Sequence, residues 1–290
     1  MTELDSTKYI DNLLLISVKE NNLTNVIKLV EMGADINIKV KHITEYNNNT
    51  TSLLHIAAHN DAVLVCKYLI SKGIDPNITD SLGQTPFSFA ISGIATKTAD
   101  LLLKSGYKIQ SSQILDNNDF YHAIFAARYK IATLMLKHDS SLAKMVFEND
   151  NNNNPFHVVA HHSARFVCKD LRMLTKSLIK YGADINHKND YGSTPLHYAA
   201  HYFYQYTETL LKNGACPNIK NLKGETPLHI SAQACTPVSA KALVKHGADL
   251  NAVDKYGSIP LFYSGGPVRE ILIYSRNHKE NYRCSRENTK

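Results

Sequence analysis

The 290-residue sequence has no tryptophan, only five cysteines, nine prolines and thirteen glycines, and no apolar run long enough to cross a bilayer. The scarcity of glycine and proline excludes collagen-like and mucin-like chains. The cysteines (Cys66, Cys168, Cys216, Cys235 and Cys284) are odd in number, scattered, and never in Cys-x-x-Cys spacing, which excludes a disulfide framework and fits a reducing compartment. The chain opens Met-Thr-Glu-Leu-Asp, acidic where a secretory signal is basic. A cytoplasmic or nuclear protein without membrane association is expected. Catalytic signatures are missing too: there is no Gly-rich phosphate loop, no G-x-S-x-G, no H-E-x-x-H and no cysteine in a nucleophile's local context. No enzyme activity and no cofactor are expected.

The apolar content is an ordinary 43%, enough to bury a core along most of the chain. Charge is uneven. Residues 1–150 carry −2, and residues 151–290 carry +8, with 18 Lys+Arg against 10 Asp+Glu. The bases are mostly lysine and spread along the sequence, so they read first as a solvated surface and second as a surface for an acidic protein partner. A nucleic-acid stripe is not expected.

Internal repeats organise the whole sequence. Thr194-Pro195-Leu196-His197-Tyr198-Ala199-Ala200 recurs as Thr226-Pro227-Leu228-His229-Ile230-Ser231-Ala232. Weaker copies start at Ser52, Thr85, Asn154 and Ile259. A second marker, Gly-Ala-Asp-x-Asn or a variant of it, follows at Gly33, Gly73, Gly182, Gly214 and Gly247. The glycine advances by 40, by 33 to Gly106, by 76 to Gly182, then by 32 and 33. The hydroxyls of Thr194 and Thr226 suit a helix N-cap, and the prolines after them suit the first turn. Small alanines then allow close helix packing, and Leu64–Ile70, Ala99–Leu103 and Ala240–Val244 carry the apolar spacing of a second helix. Gly214, Gly247 and their equivalents sit where a left-handed cap ends that helix.

These markers resemble the ankyrin repeat, over about residues 8–276. The resemblance implies an all-α, ankyrin-repeat solenoid of about eight helix-turn-helix repeats with short β-finger loops. A single solenoid over 1–276 is expected, with insertions near 40–50 and 164–180 and a polar tail at 277–290. The second insertion predicts a lengthened second helix through Leu171–Lys180, and Pro267 a short last helix. The fourth repeat is degenerate, with Tyr121 at the histidine position and Asp139 at the capping glycine, and the weakened pattern leaves a hinge there as an alternative to a continuous stack.

Histidines at i and i+4 (His55/His59, His157/His161 and His197/His201) have the spacing of a shared zinc site, which leaves a metal-dependent protein as one alternative. The resemblance implies a structural role instead: the rings of His55, His157, His197 and His229 bond the threonine hydroxyl and tie their loop to the next repeat. It also implies a non-enzymatic scaffold, monomeric, that binds a protein partner through the finger tips and the concave face. Carried over position by position, the candidates are Asp190, Tyr191, Leu222, Lys223, Lys255 and Tyr256 at the tips, with His201, Tyr202 and Gln233 on the first helices. The three tyrosines lead as interface anchors, and Phe203 and Tyr206 are expected to pack inward. The degenerate repeats look like the ankyrin proteins of poxviruses and intracellular bacteria, which act on host proteins. A ubiquitin-ligase substrate adaptor is a further alternative, set lower because only a short polar stretch follows Ile273.

Overall fold

The computed structural model describes residues 3–44, 47–111, 118–163, 169–202 and 204–287. The chain divides into two compact units at Asp139–Ser140. In the first, helix pairs follow one another: α1 (Glu3–Lys19) with α2 (Leu23–Glu31), α3 (Leu53–His59) with α4 (Val63–Ser71), α5 (Pro86–Ser92) with α6 (Thr96–Lys104), and α7 (Asp119–Phe125) with α8 (Tyr129–His138). The second unit holds α9 (Pro155–Val158) and α10 (Lys169–Lys180), α11 (Pro195–Tyr202) and α12 (Tyr204–Lys212), α13 (Pro227–Gln233) and α14 (Pro237–Lys245), and α15 (Pro260–Tyr263) and α16 (Gly266–Glu287).

Each pair is dictated locally. Proline opens α5, α9 and α13 at a position that needs no amide hydrogen. Fully buried Ala57, Ala58, Ala90, Ala199, Ala200 and Ala232 let successive first helices approach closely. The second helices are amphipathic and bury one stripe each: Ala99, Leu102 and Leu103 on α6, and Ala240, Ala242 and Leu243 on α14. They end at glycines in the left-handed region, Gly214 at φ +95° and Gly247 at φ +87°. The amides of Ala215 and Ala248 then return to the carbonyls of Leu210 and Leu243, both at 3.0 Å.

The finger loops share one construction. Asp80, Asn189, Asn221 and Asp254 each accept, through a side-chain oxygen, the amides two and four residues ahead, at 2.8–3.1 Å. Each also donates its own amide to the carbonyl four residues on. The tips are therefore self-bonded turns. At Gly224 an added Cβ would lie 2.8 Å from the amide nitrogen of Lys255, so the close approach of neighbouring tips requires glycine.

Several details differ from the sequence expectations. The insertion near 40–50 is an antiparallel hairpin, β1 (Lys39–Thr44) paired with β2 (Asn47–Ser52) in the register Lys39↔Ser52. Among the described residues these are the only strands of any length; the other fingers are turns. In the fifth repeat α10 has 12 residues against nine in α12 and α14, so it absorbs only part of the insertion. A π-helical turn at Val159–Ser163 takes another part, and 164–168 and Phe203 lie outside the described residues. Asp139 has φ −133°, not the left-handed cap its alignment with glycine implies, and a 3₁₀ turn (Ser140–Lys144) follows. The last helix is not short, because α16 continues to Glu287 through much of the expected tail. Val268 and Leu272 are buried and Ile271 is half-buried.

The turns between paired helices hold left-handed residues without glycine: Asn21, Asp61, Ile94, Ala127 and Cys235. Ile94 is the strained one, since a β-branched side chain crowds the backbone there. Replacing Ile94 by Asn should stabilise the first unit by about 1 kcal/mol, and Gly214→Val should destabilise the second by more than ~1 kcal/mol. Denaturant unfolding of each variant checks both signs. At Gly214 an added Cβ meets nothing within 4 Å, so a loss would come from backbone strain alone.

Candidate functional site

Where a repeat keeps its histidine, the ring links two loops. His197 Nε2 lies 3.1 Å from the carbonyl oxygen of Glu225, and His229 Nε2 lies 3.0 Å from that of Ser258. A carbonyl only accepts, so Nε2 carries the proton and Nδ1 is the acceptor. Into Nδ1 of His197 the hydroxyl of Thr194 donates at 2.9 Å and its amide at 3.0 Å; Thr226 does the same for His229, at 2.9 and 3.1 Å. At Thr226 the pair forms a capping box, with the Thr226 side chain facing the His229 amide and the ring facing the Thr226 amide. Where serine replaces histidine, in the third repeat, Thr85 accepts the Ser88 amide, at 3.2 Å. His55 and His157 reach forward in the same way, to the carbonyls of Gln84 (3.0 Å) and Ser193 (2.9 Å). The first histidine of each i, i+4 pair has both ring nitrogens engaged. Among the described residues no three His, Cys, Asp or Glu side chains converge on a metal position.

A second ladder uses asparagine. The Asn218 side chain accepts the Asp249 amide at 2.8 Å and donates to the Gly247 carbonyl at 3.1 Å; Asn77 does the same toward Lys108 (2.8 Å) and Gly106 (3.3 Å). A third joins the tips by backbone alone. In the second unit Asp190 N bonds Asn151 O, Leu222 N bonds Tyr191 O, and Lys255 N bonds Lys223 O, at 3.0, 2.9 and 3.0 Å. The candidate tip residues are therefore mounted on a hydrogen-bonded ridge.

Between that ridge and the first helices lies a groove of about 330 Å³. It brings together Tyr191, His201, Tyr202, Leu222 and Lys223, five of the nine residues singled out from sequence. Tyr191 (56% exposed), Tyr202 (48%) and Leu222 (62%) offer their apolar faces to solvent. Tyr202 is steadied by ring contacts with His201 (centroids 4.1 Å apart) and His161 (5.6 Å), and the Tyr191 hydroxyl donates to Asn151 Oδ1 at 3.1 Å. Asp190, Lys255 and Tyr256 stand outside the groove on the ridge, Tyr256 at 84% exposed. Gln233 is exposed, but its amide donates to Glu225 Oε1 at 2.8 Å. Tyr206 is fully buried, as expected.

Sequence reasoning missed Tyr198, Ile230 and Asn221, which line the groove together with His197 and the finger-tip residues Ser193 and Glu225. Tyr198 and Ile230 follow the repeat histidine directly, so the motif itself held the signal. Tyr198 is fixed by a bond from Asn189 Nδ2 to its hydroxyl (2.9 Å) and by the edge of His157. The near-buried Glu225 carboxylate accepts from Asn221 Nδ2 at 2.9 Å as well as from Gln233. In the first unit Leu82, Gln84, His122 and Phe125 line a comparable recess of about 430 Å³.

Burial acts on the ladder electrostatically. Desolvation pushes His157 down to about 3 and His197 to about 4, outweighing the raising effect of their carbonyl bonds, and it lowers His229 and His55 too. In the first unit desolvation instead raises Asp119 to about 6, although Tyr107 Oη (2.7 Å) and the Gln110 amide (2.8 Å) donate to it.

A model for ankyrin repeats in three copies matches residues 14–113 and 120–221, and a single ankyrin-repeat model matches 223–255. Fowlpox virus ankyrin repeat protein FPV018 is 28% identical over 213 residues, 66% of this chain and 29% of its own length. Fowlpox virus FPV031 is 34% identical over 159 residues, 52% of this chain and 44% of its own. The phosphocholine transferase AnkX of Legionella pneumophila is 25% identical over 63% of this chain and 19% of its own. This chain thus spans less than half the length of each of these relatives. Among solved structures, the human ASB11 ankyrin repeat domain superposes with a TM-score of 0.63 at 21% identity, covering 78% of this chain and 98% of that one.

The histidine shifts set a direction for pH. A histidine with a lowered folded pKa contributes its full stability above its unfolded value near 6.5 and loses it as pH falls toward the folded value. Between pH 6.5 and about 4.5 the second unit should lose up to about 1.4 kcal/mol per pH unit for each of His157 and His197, with His229 acting in the same direction. Asp119, raised, works the opposite way and gains stability as pH falls from about 6, offsetting His55 in the first unit. Hydrogen exchange at pH 7 and pH 5 should show the second unit loosening more than the first. His197→Gln, which cannot titrate, should flatten the slope.

Proposed function

This chain belongs to the ankyrin repeat family, and from that premise we propose that it binds a protein partner in the aromatic groove and along the ridge of its second unit. Ankyrin repeats form a protein-interaction module. The observation that carries the finer reading is the groove itself. Tyr191, Tyr198, Tyr202 and Leu222, drawn from two repeats, converge on one recess whose walls are already fixed by hydrogen bonds. Rigid aromatic side chains that lose little freedom on binding are the usual source of interface energy. Lys223 and Lys255 beside them suit a partner with acidic residues flanking its apolar anchor.

The partner is proposed to belong to a host cell, a reading supported by relatives from fowlpox virus and Legionella pneumophila; a monomer acting in the cytoplasm or nucleus is part of the same proposal. The experiment is capture from a host lysate with quantitative mass spectrometry, run with the wild type and with Tyr191→Ala, Tyr202→Ala and Tyr256→Ala combined. The triple variant should lose its specific partners at least tenfold while its thermal midpoint stays close to that of the wild type, because all three rings are largely exposed. Unchanged capture would remove the groove and ridge from the account. Restoring Tyr256 alone should recover less than restoring Tyr191 and Tyr202, which share the recess.

A further inference from the structure

The second helices of the second unit form another surface, unrelated to the aromatic groove. Stacking of repeats sets α10, α12 and α14 around an open recess of about 870 Å³. Arg172 and Lys176 enter it from α10, Lys212 from α12, and Lys241 and Lys245 from α14. They are far apart in sequence, yet helical spacing aligns them: Arg172 and Lys176 are four apart, as are Lys241 and Lys245. One carboxylate, Glu208, lines the recess among the described residues. It meets Lys212 Nζ at 3.1 Å and Lys245 Nζ at 4.0 Å. Arg172, Lys176 and Lys241 have no ion-pair or hydrogen-bond partner among the described residues. The bases that look dispersed along the sequence are thus partly concentrated by the fold.

Neutralising the helix C-termini accounts for Lys212 and Lys245, which lie in last turns, but not for Arg172, Lys176 or Lys241. Apolar surface is present in the recess as well: Val238, 50% exposed, and Ala242 are among its lining residues. We propose that this recess is a second docking site, taking an extended acidic peptide segment of a protein partner with small aliphatic residues among its carboxylates. Charge complementarity selects the acidic ligand. Val238 and Ala242 favour a peptide over a nucleic acid, since no aromatic ring lines the recess for base stacking. Five basic side chains held together with one carboxylate among them raise the local potential and draw in an anionic chain.

The probe is a fluorescein-labelled peptide of four Glu-Glu-Val triplets, titrated by fluorescence anisotropy with the full chain. Binding should weaken steeply with added sodium chloride. The double variant Lys176→Glu/Lys241→Glu should weaken it at least tenfold. The charge-matched control Lys67→Glu/Lys97→Glu, on exposed positions of the first unit, should change it less than about threefold. Val238→Ser should weaken this peptide more than it weakens an all-glutamate peptide of equal length. The proposal is overturned by equal losses in the two doubles, which would indicate net charge alone, or by no binding of the peptide. It is also overturned if oligothymidylate or phosphatidylserine vesicles bind in a Lys241-dependent way and the peptide does not. The tyrosine triple variant should bind the peptide like the wild type, so failure here leaves the aromatic groove standing.

Discussion

The structure depends on one kind of contact: a side chain with a donor and an acceptor at fixed separation, bonding its own loop at one end and the next repeat's main chain at the other. Histidine does this with its two ring nitrogens, and asparagine reinforces it by bonding the next repeat's main chain with both its amide oxygen and its amide nitrogen. Apolar burial between helices supplies more free energy, but it is non-directional and tolerates sliding. A net contribution near 1 kcal/mol per hydrogen bond looks small beside it. Its importance lies in register, because a misplaced neighbour leaves a buried imidazole unpaired at a cost of about 1–3 kcal/mol. The groove and ridge exist because the ladders set each finger against the next.

The same constraint explains the differences between the units. The second unit keeps histidine in three successive repeats, at His157, His197 and His229. The first keeps it at His55 and then changes chemistry. Ser88 and Tyr121 occupy the next two positions, and the Tyr107 hydroxyl lies 3.0 Å from Thr85 Oγ1 and donates to Asp119. Where the pattern departs furthest, at Asp139, the glycine cap is gone and the compact units divide.

Much of this was legible in the sequence, and for a definite reason. The repeat places the same residue types at the same geometry, so Thr-Pro-Leu-His and Gly-Ala-Asp-x-Asn report helix starts, caps and links together. Tyr191, His201, Tyr202, Leu222 and Lys223 fell in one groove because a repeat position is also a position in space. Tyr198 and Ile230 were missed because a residue beside a buried histidine reads as core, whereas this one faces the groove edge. The hairpin at residues 39–52 escaped because asparagine-rich strands lack an alternating apolar pattern. The basic recess on α10, α12 and α14 could not be seen in a linear charge count, since it forms only when repeats stack.

What the ladders produce is a pre-shaped surface, with aromatic rings held by neighbours on a backbone that needs little ordering on contact. The most direct measurement is hydrogen–deuterium exchange of the protein with and without its captured partner, read peptide by peptide. The account predicts new protection at residues 189–202 and 221–233, where the groove and its tips lie. Protection confined to the first unit, or to the second helices with those segments unchanged, would contradict it.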